Sequence, residues 1–238
     1  MGRIFEKRKH KMFARYAKMA KTFTRIGKEI AIAVKLGGSN PDGNPRLRMA
    51  IQNAKASNMP KDRVDNAIAR ATSKDQKDLE EVVYEGYGPH GVAILVETAT
   101  DNNTRTVANI RMYFNRGDGA LGKTGSLDFL FDRKGIFKIE KGSNNLEELE
   151  LELIDFGAEE VAEDEEGVYI YTSFTDFGKM QKAMEEKSLS IISAELERIP
   201  TNFVEGLNEE QQKEVMALVE KIEEDDDVQN VFHNMKEG

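Results

Sequence analysis

The 238-residue chain contains no cysteine. That absence excludes disulfides, Cys-ligated zinc, iron–sulfur clusters and thiol nucleophiles, and it fits a reducing compartment. No apolar run approaches the ~18 residues a membrane span needs. The opening MGRIFEKRKHKMFARYAKMAK lacks the unbroken apolar segment of a secretory signal. Its lysine-rich, serine-free pattern runs on into a longer helix, so it reads as structure and not as a transit peptide. Glu6 stands where a myristoylation motif wants Ser or Thr. A cytoplasmic protein without membrane contact is expected. Histidine is scarce, and His10, His90 and His233 offer no metal-ligand spacing. There is no G-x-S-x-G nucleophile motif, so no catalytic residue, metal or cofactor is expected.

What the chain has in abundance is charge, unevenly placed. Residues 1–75 hold 18 Lys+Arg against 6 Asp+Glu, giving +12, and the remainder holds 16 against 37, giving −21. The net −9 conceals a strongly basic end suited to a polyanion and an acidic end that stays off the same surface. The length favours two or three domains, and 39% hydrophobic residues suffice for packed cores.

Apolar residues recur every three or four positions from Met12 to Val34, which predicts a helix ended by Gly37-Gly38. SNPDGNP supplies a turn before a second helix through Leu47, Ile51 and Ala54, and Pro60 suits the start of a third through Val64 and Ile68. Strands VVYEGY and VAILVET follow, then a helix through Val107, Ile110 and Phe114, a glycine-rich loop, and LDFLF, which reads as a strand. Residues 135–199 read β-α-β-β-α-β, the ferredoxin-like order, with Ile136, Leu149, Ile154, Val168, Ile170, Met180 and Ile191 as core. A helix from Asn208 to Glu224 and a strand VQNVFH are too little to fold alone and are expected to complete the earlier sheet.

The fold class is therefore α+β. A basic three-helix domain at 1–77 precedes an α+β domain formed by 78–131 plus 201–238, and a ferredoxin-like domain at 132–200 is inserted into it.

Lys7, Lys11, Arg15, Lys18 and Arg25 follow steps of four, four, three and seven along the first helix, flanked by Arg8, Lys9, Lys21 and Lys28. Arg46, Arg48, Lys55 and Lys61 add charge from the following helices. Such density on a small bundle is self-repulsive unless a polyanion relieves it, so these residues are the candidate nucleic-acid contacts. Phe5, Phe13, Tyr16 and Phe23 lie at helix spacing and read as core before they read as base-stacking groups. Gly117 to Thr124 matches G-x-x-x-x-G-K-T, but a helix precedes it and an apolar run follows, the reverse of the strand-to-helix setting of a phosphate loop. It reads as a connector, and a nucleotide-binding enzyme using it is a remote alternative. The acidic run Glu223 to Asp227 reads as a solvated helix end.

Several long stretches resemble the YebC/PmpR family, which includes a mitochondrial translational activator of cytochrome oxidase. They are LGGSNPDGNPRLRMAIQNAKASNMPKDRVDNAI (36–68), YEGYGPHGVAILVE (84–97), TDNNTRTVANIR (100–111), GALGKTGSLDFLF (119–131) and EDDDVQNVFHN (224–234). The resemblance implies a helical domain followed by two α+β domains and no known catalytic activity. Family members are labelled either as DNA-binding transcription regulators or as ribosome-associated translation factors that ease synthesis through proline-rich stretches. The favoured expectation is a non-enzymatic factor bound to the ribosome through rRNA, with a DNA-binding transcriptional regulator as the alternative and a monomer as the favoured state. Gly2-Arg3-Ile4-Phe5-Glu6 departs from the Gly-His-Ser-Lys-Trp opening common in the family; it drops the Trp and keeps basic charge.

Overall fold

The computed structural model describes residues 3–73, 78–141, 145–163 and 167–236, with side chains from Ala20 onward. The chain divides into two compact units, Met1–Leu79 and Glu80–Gly238. None of the helices among the described residues is long and apolar enough to cross a membrane.

The first unit is helical, with α1 at Arg3–Gly37, α2 at Pro45–Ala56 and α3 at Lys61–Thr72. Its core joins Ile26, Ile30, Ala33 and Val34 of α1 to Leu47, Ala50 and Ala54 of α2 and Val64 and Ala71 of α3. Asn44 fixes the corner between α1 and α2. Its side-chain oxygen accepts from the Leu47 amide at 3.1 Å, capping α2, while its Nδ2 donates to the carbonyls of Ala33 at 2.7 Å and Gly38 at 2.8 Å. An N-cap of this kind contributes ~1 kcal/mol; here it also satisfies two carbonyls at the end of α1. Gly37 is required by the close approach, since a Cβ there would stand 2.7 Å from the Asn44 side chain.

The second unit contains two antiparallel sheets. Its elements are β1 (Glu80–Tyr87), β2 (Ala93–Thr100), α4 (Asn103–Arg116), β3 (Ala120–Leu121), β4 (Phe131–Ile139), α5 (Leu146–Ile154), β5 (Ala158–Glu163), β6 (Val168–Ser173), α6 (Phe177–Glu186), β7 (Ile191–Pro200), α7 (Glu209–Glu223) and β8 (Val228–His233). The first sheet has the order β3-β1-β2-β8. One face packs Ile94 and Val96 against Ile110 and Phe114 of α4 and Val215, Leu218, Val219 and Ile222 of α7. α7 begins at a capping box in which Asn208 and Gln211 each bond the other's backbone amide.

The second sheet has the order β5-β6-β4-β7, formed by the consecutive run β4-α5-β5-β6-α6-β7, which is the ferredoxin-like arrangement. Phe137, Ile139, Val168, Ile170 and Ala194 are buried on its strands, and Leu149, Leu153, Met180 and Met184 on its helices. Phe137 and Phe177 stack with ring centroids 4.6 Å apart. Arg198 on β7 ties this sheet to the first one: its guanidinium donates to Glu97 on β2 and to Asp128.

Four expectations need correction. Leu149, Val168, Ile170 and Met180 are buried, but Ile136 and Ile191 are half-buried and Ile154 is exposed. On β4 the inward positions are Gly135, Phe137 and Ile139, so Ile136 is on the opposite face. Adjacent apolar residues at 136 and 137 leave the face ambiguous in sequence. LDFLF is not a strand: Asp128–Leu130 form a 3-10 turn, and the strand starts only at Phe131.

Burial first, and Glu195 second, push the Glu197 carboxyl above its ordinary range. A carboxyl with a raised folded-state pKa binds its proton more tightly in the folded chain. Its contribution to stability is complete below the unfolded pKa and is lost as the pH rises through the folded one. Glu197→Gln is therefore expected to raise the melting temperature at neutral pH, with the gain vanishing below about pH 4. A gain independent of pH would refute the assignment.

Candidate nucleic-acid interface

At 100° per residue, Lys21, Arg25 and Lys28 lie on one side of α1 and the buried Ile26, Ile30 and Ala33 on the other. Lys7, Arg8, Lys9, Lys11, Arg15 and Lys18 belong to the same continuous helix, but their side chains lie outside the described residues, as do those of Phe5, Phe13 and Tyr16. On α2 and α3, Lys55 and Lys61 are exposed and Arg46 is half-buried. Arg48 is turned inward to the corner, where Nη1 donates to the carbonyls of Pro41 at 2.8 Å and Asp42 at 2.9 Å. Its charge remains in the unit's field, but its donors hold the turn. Phe23 is half-buried and carries the Arg63 guanidinium 5.5 Å from its ring centroid, a cation–π contact that joins α1 to α3.

The glycine-rich loop has a different occupation from that of a phosphate cradle. Glu85 of β1 is buried, and its carboxylate accepts from the amides of Gly125 and Leu127, both at 2.6 Å. The Gly122 amide donates to the Glu85 carbonyl at 2.7 Å. Within the motif the Gly119 amide also donates to a backbone carbonyl, that of Phe114 at 2.8 Å, so the chain itself takes amides that a phosphate cradle would aim at its ligand, and a carboxylate holds those just beyond the motif. Gly119 answers a packing need, because a Cβ there would lie 2.5 Å from the Tyr87 carbonyl oxygen.

Two residues of the acidic run, Asp225 and Asp227, are built in, while Glu224 and Asp226 are exposed as the reading of a solvated end expects. Asp227 is buried, and one carboxylate oxygen accepts from Arg105 Nη2 at 2.6 Å, Thr106 at 2.9 Å and Thr100 at 3.2 Å. Arg105 also pairs with Asp101 at 3.0 Å. Asp225 accepts from Asn109 at 2.9 Å and from the Tyr113 hydroxyl at 3.0 Å. Burial first, then the hydrogen bond and charge of Asp225, push the Tyr113 hydroxyl up to about 12. These two carboxylates clamp α4 to the turn between α7 and β8, a role the sequence signals only by the crowding of polar residues in TDNNTRT.

Comparison with known proteins agrees with the architecture. Residues 3–74 match the TACO1/YebC protein N-terminal domain, and residues 79–235 match the TACO1/YebC second and third domain. A protein of Cytophaga hutchinsonii named "Probable transcriptional regulatory protein" is 61% identical over 237 residues, covering 100% of this chain and 99% of its own. One of the same name from Flavobacterium johnsoniae is 58% identical, with 100% of both chains covered. A crystal structure of a conserved hypothetical protein from Aquifex aeolicus superposes with a TM-score of 0.77 at 38% identity, covering 91% of this chain and 90% of that one.

Proposed function

Because the chain belongs to the TACO1/YebC family, we propose that it is a non-enzymatic, cytoplasmic regulator of gene expression that binds nucleic acid through its helical first unit, and that the nucleic acid is ribosomal RNA. The observation that carries this reading is the charge division, +12 in residues 1–75 and −21 in the rest. Phosphate contacts supply most of the affinity of such a surface. A basic helical unit whose charge is spread over several helices suits contact with backbone and shape. Lys7, Arg8, Lys9, Lys11, Arg15, Lys18, Lys21, Arg25, Lys28, Arg46, Lys55 and Lys61 are the proposed contacts, with Arg48 contributing charge while it braces the corner. An acidic second unit would be repelled along extended duplex DNA, whereas the surface of a ribosome also offers protein. Easing of synthesis through proline-rich stretches is the activity proposed. The names of the relatives favour a second reading, a DNA-binding transcriptional regulator.

Binding of the full chain to purified ribosomes and to duplex DNA over a range of salt separates the two. For ~5 phosphate contacts, log K is expected to fall with log salt at a slope of about −3.5 to −4.5. Reversing Lys11, Arg15 and Lys18 to Glu should weaken binding and flatten the slope by about 3, with the melting temperature unchanged. Unchanged binding by that variant would move the site elsewhere. A promoter footprint that survives physiological salt, with no co-sedimentation with ribosomes, would establish the transcriptional reading.

A further inference from the structure

Helix α5 has the sequence LEELELELI. Its leucine–glutamate alternation has period two, which a strand would sort into one apolar and one acidic face. Wound at 100° per residue, it cannot be sorted. Leu149 and Leu153 point to the core at 5% and 0% exposure. Leu151, about 200° round from Leu149, is left on the outer surface at 71% exposure, with Ile154 at 57%. Residues three apart on a helix are neighbours, so these two form one apolar patch.

The surround of the patch is acidic. Glu147, Glu148, Glu150, Glu152 and Asp155 lie in the helix or at its end, and the helix contains no Lys or Arg. Lys187 pairs with Glu152 at 2.8 Å; among the described residues the other four carboxylates form no ion pair. Single exposed leucines are ordinary on protein surfaces. A contiguous apolar pair ringed by mostly unpaired acidic charge, with Lys187 on Glu152 and Lys179 on the Asp155 carbonyl at its edge, has the anatomy of an interface, with an apolar centre and a polar rim. That rim repels RNA, DNA and anionic lipid and attracts a cationic surface.

We infer that the outer face of α5 docks on a basic protein, seating Leu151 and Ile154 in an apolar slot rimmed by lysine or arginine. The inference rests on the ribosomal reading given above, under which the partner is a basic protein of the ribosome. The acidic unit then supplies protein contact while the basic unit supplies RNA contact, and the uneven charge of the chain matches a surface made of both.

The test uses the full chain carrying a photoreactive benzoylphenylalanine in place of Leu151, irradiated on purified ribosomes, with the adducts mapped by mass spectrometry. The expected result is an adduct on one basic ribosomal protein, lost when Glu147, Glu148 and Glu150 are reversed to Lys. Leu151→Ser with Ile154→Ser should weaken ribosome binding at least about tenfold without changing the circular dichroism, since both side chains face solvent. Ribosome binding with adducts on RNA, on a second copy of this chain or on nothing would overturn the inference and leave the ribosomal reading standing. Failure of the unaltered chain to bind ribosomes would remove both.

Discussion

Replacing Asp227 with alanine is expected to destabilise the second unit by about 1.5–3 kcal/mol, the worth of hydrogen bonds made to a buried charged acceptor. Asp227 is 5% exposed, and one of its carboxylate oxygens serves Arg105, Thr100 and Thr106 together. Its loss removes the charged acceptor they share: Arg105 keeps Asp101 at 3.0 Å and Thr106 keeps the Asn102 carbonyl at 3.1 Å, while the Thr100 hydroxyl is left without its acceptor. The Ala99 amide donates to the Asp227 carbonyl at 2.8 Å, so the turn into β8 is held by backbone as well as by side chain. Urea unfolding of the full chain, with amide exchange to localise the change, should show protection lost first in α4 and β8. A cost under about 1 kcal/mol would mean that water satisfies the vacated donors and that the cluster is effectively a surface one.

Phe137→Ala should cost about 3–5 kcal/mol. The ring is fully buried and stacked on Phe177 with an interplanar angle of 23°, and such a pair contributes beyond the area it buries. The site has little room to collapse, because Gly135 faces the same neighbour: a Cβ there would lie 2.3 Å from the Phe177 ring. A cavity bounded by a sheet and a helix already in contact relaxes only in part, which places the cost at the upper end of its range. The effect should be confined to the second sheet, with the exchange protection of α1 to α3 unchanged. Equal loss in the helical unit would indicate cooperative unfolding of the whole chain.

The elements legible in the sequence were those whose periodicity is long and whose stops are chemical. The helix ended by Gly37-Gly38, the strands VVYEGY and VAILVET and the helix opened by Asn208 all belong to this class. So does the α+β class with two sheets, because strand and helix periods alternate in order. Illegible parts depended on contacts between distant residues. Nothing in Ile136-Phe137 tells which side meets α6, and nothing local to Glu223–Asp227 reveals a partner 122 positions earlier. For the candidate interface, charge is additive along the chain, so the basic end could be counted directly. The job of a single side chain is not additive: Arg48 counts as one more cation until the carbonyls of Pro41 and Asp42 are seen to hold it.

The order of the first sheet has a consequence for biosynthesis. β2 is flanked by β1 and by β8, and β8 leaves the translating ribosome only after every strand of the second sheet. The second sheet has all four of its strands once Pro200 has emerged, so it can close while the first still lacks a strand. Until then β2, a run of AILVETAT with almost every residue destined for burial, carries a bare edge, which is the kind of template that recruits foreign strands. A nascent chain stalled between residues 200 and 228 would present a finished module beside an unfinished one. That interval, more than any moment after release, is when the protein would most depend on a chaperone.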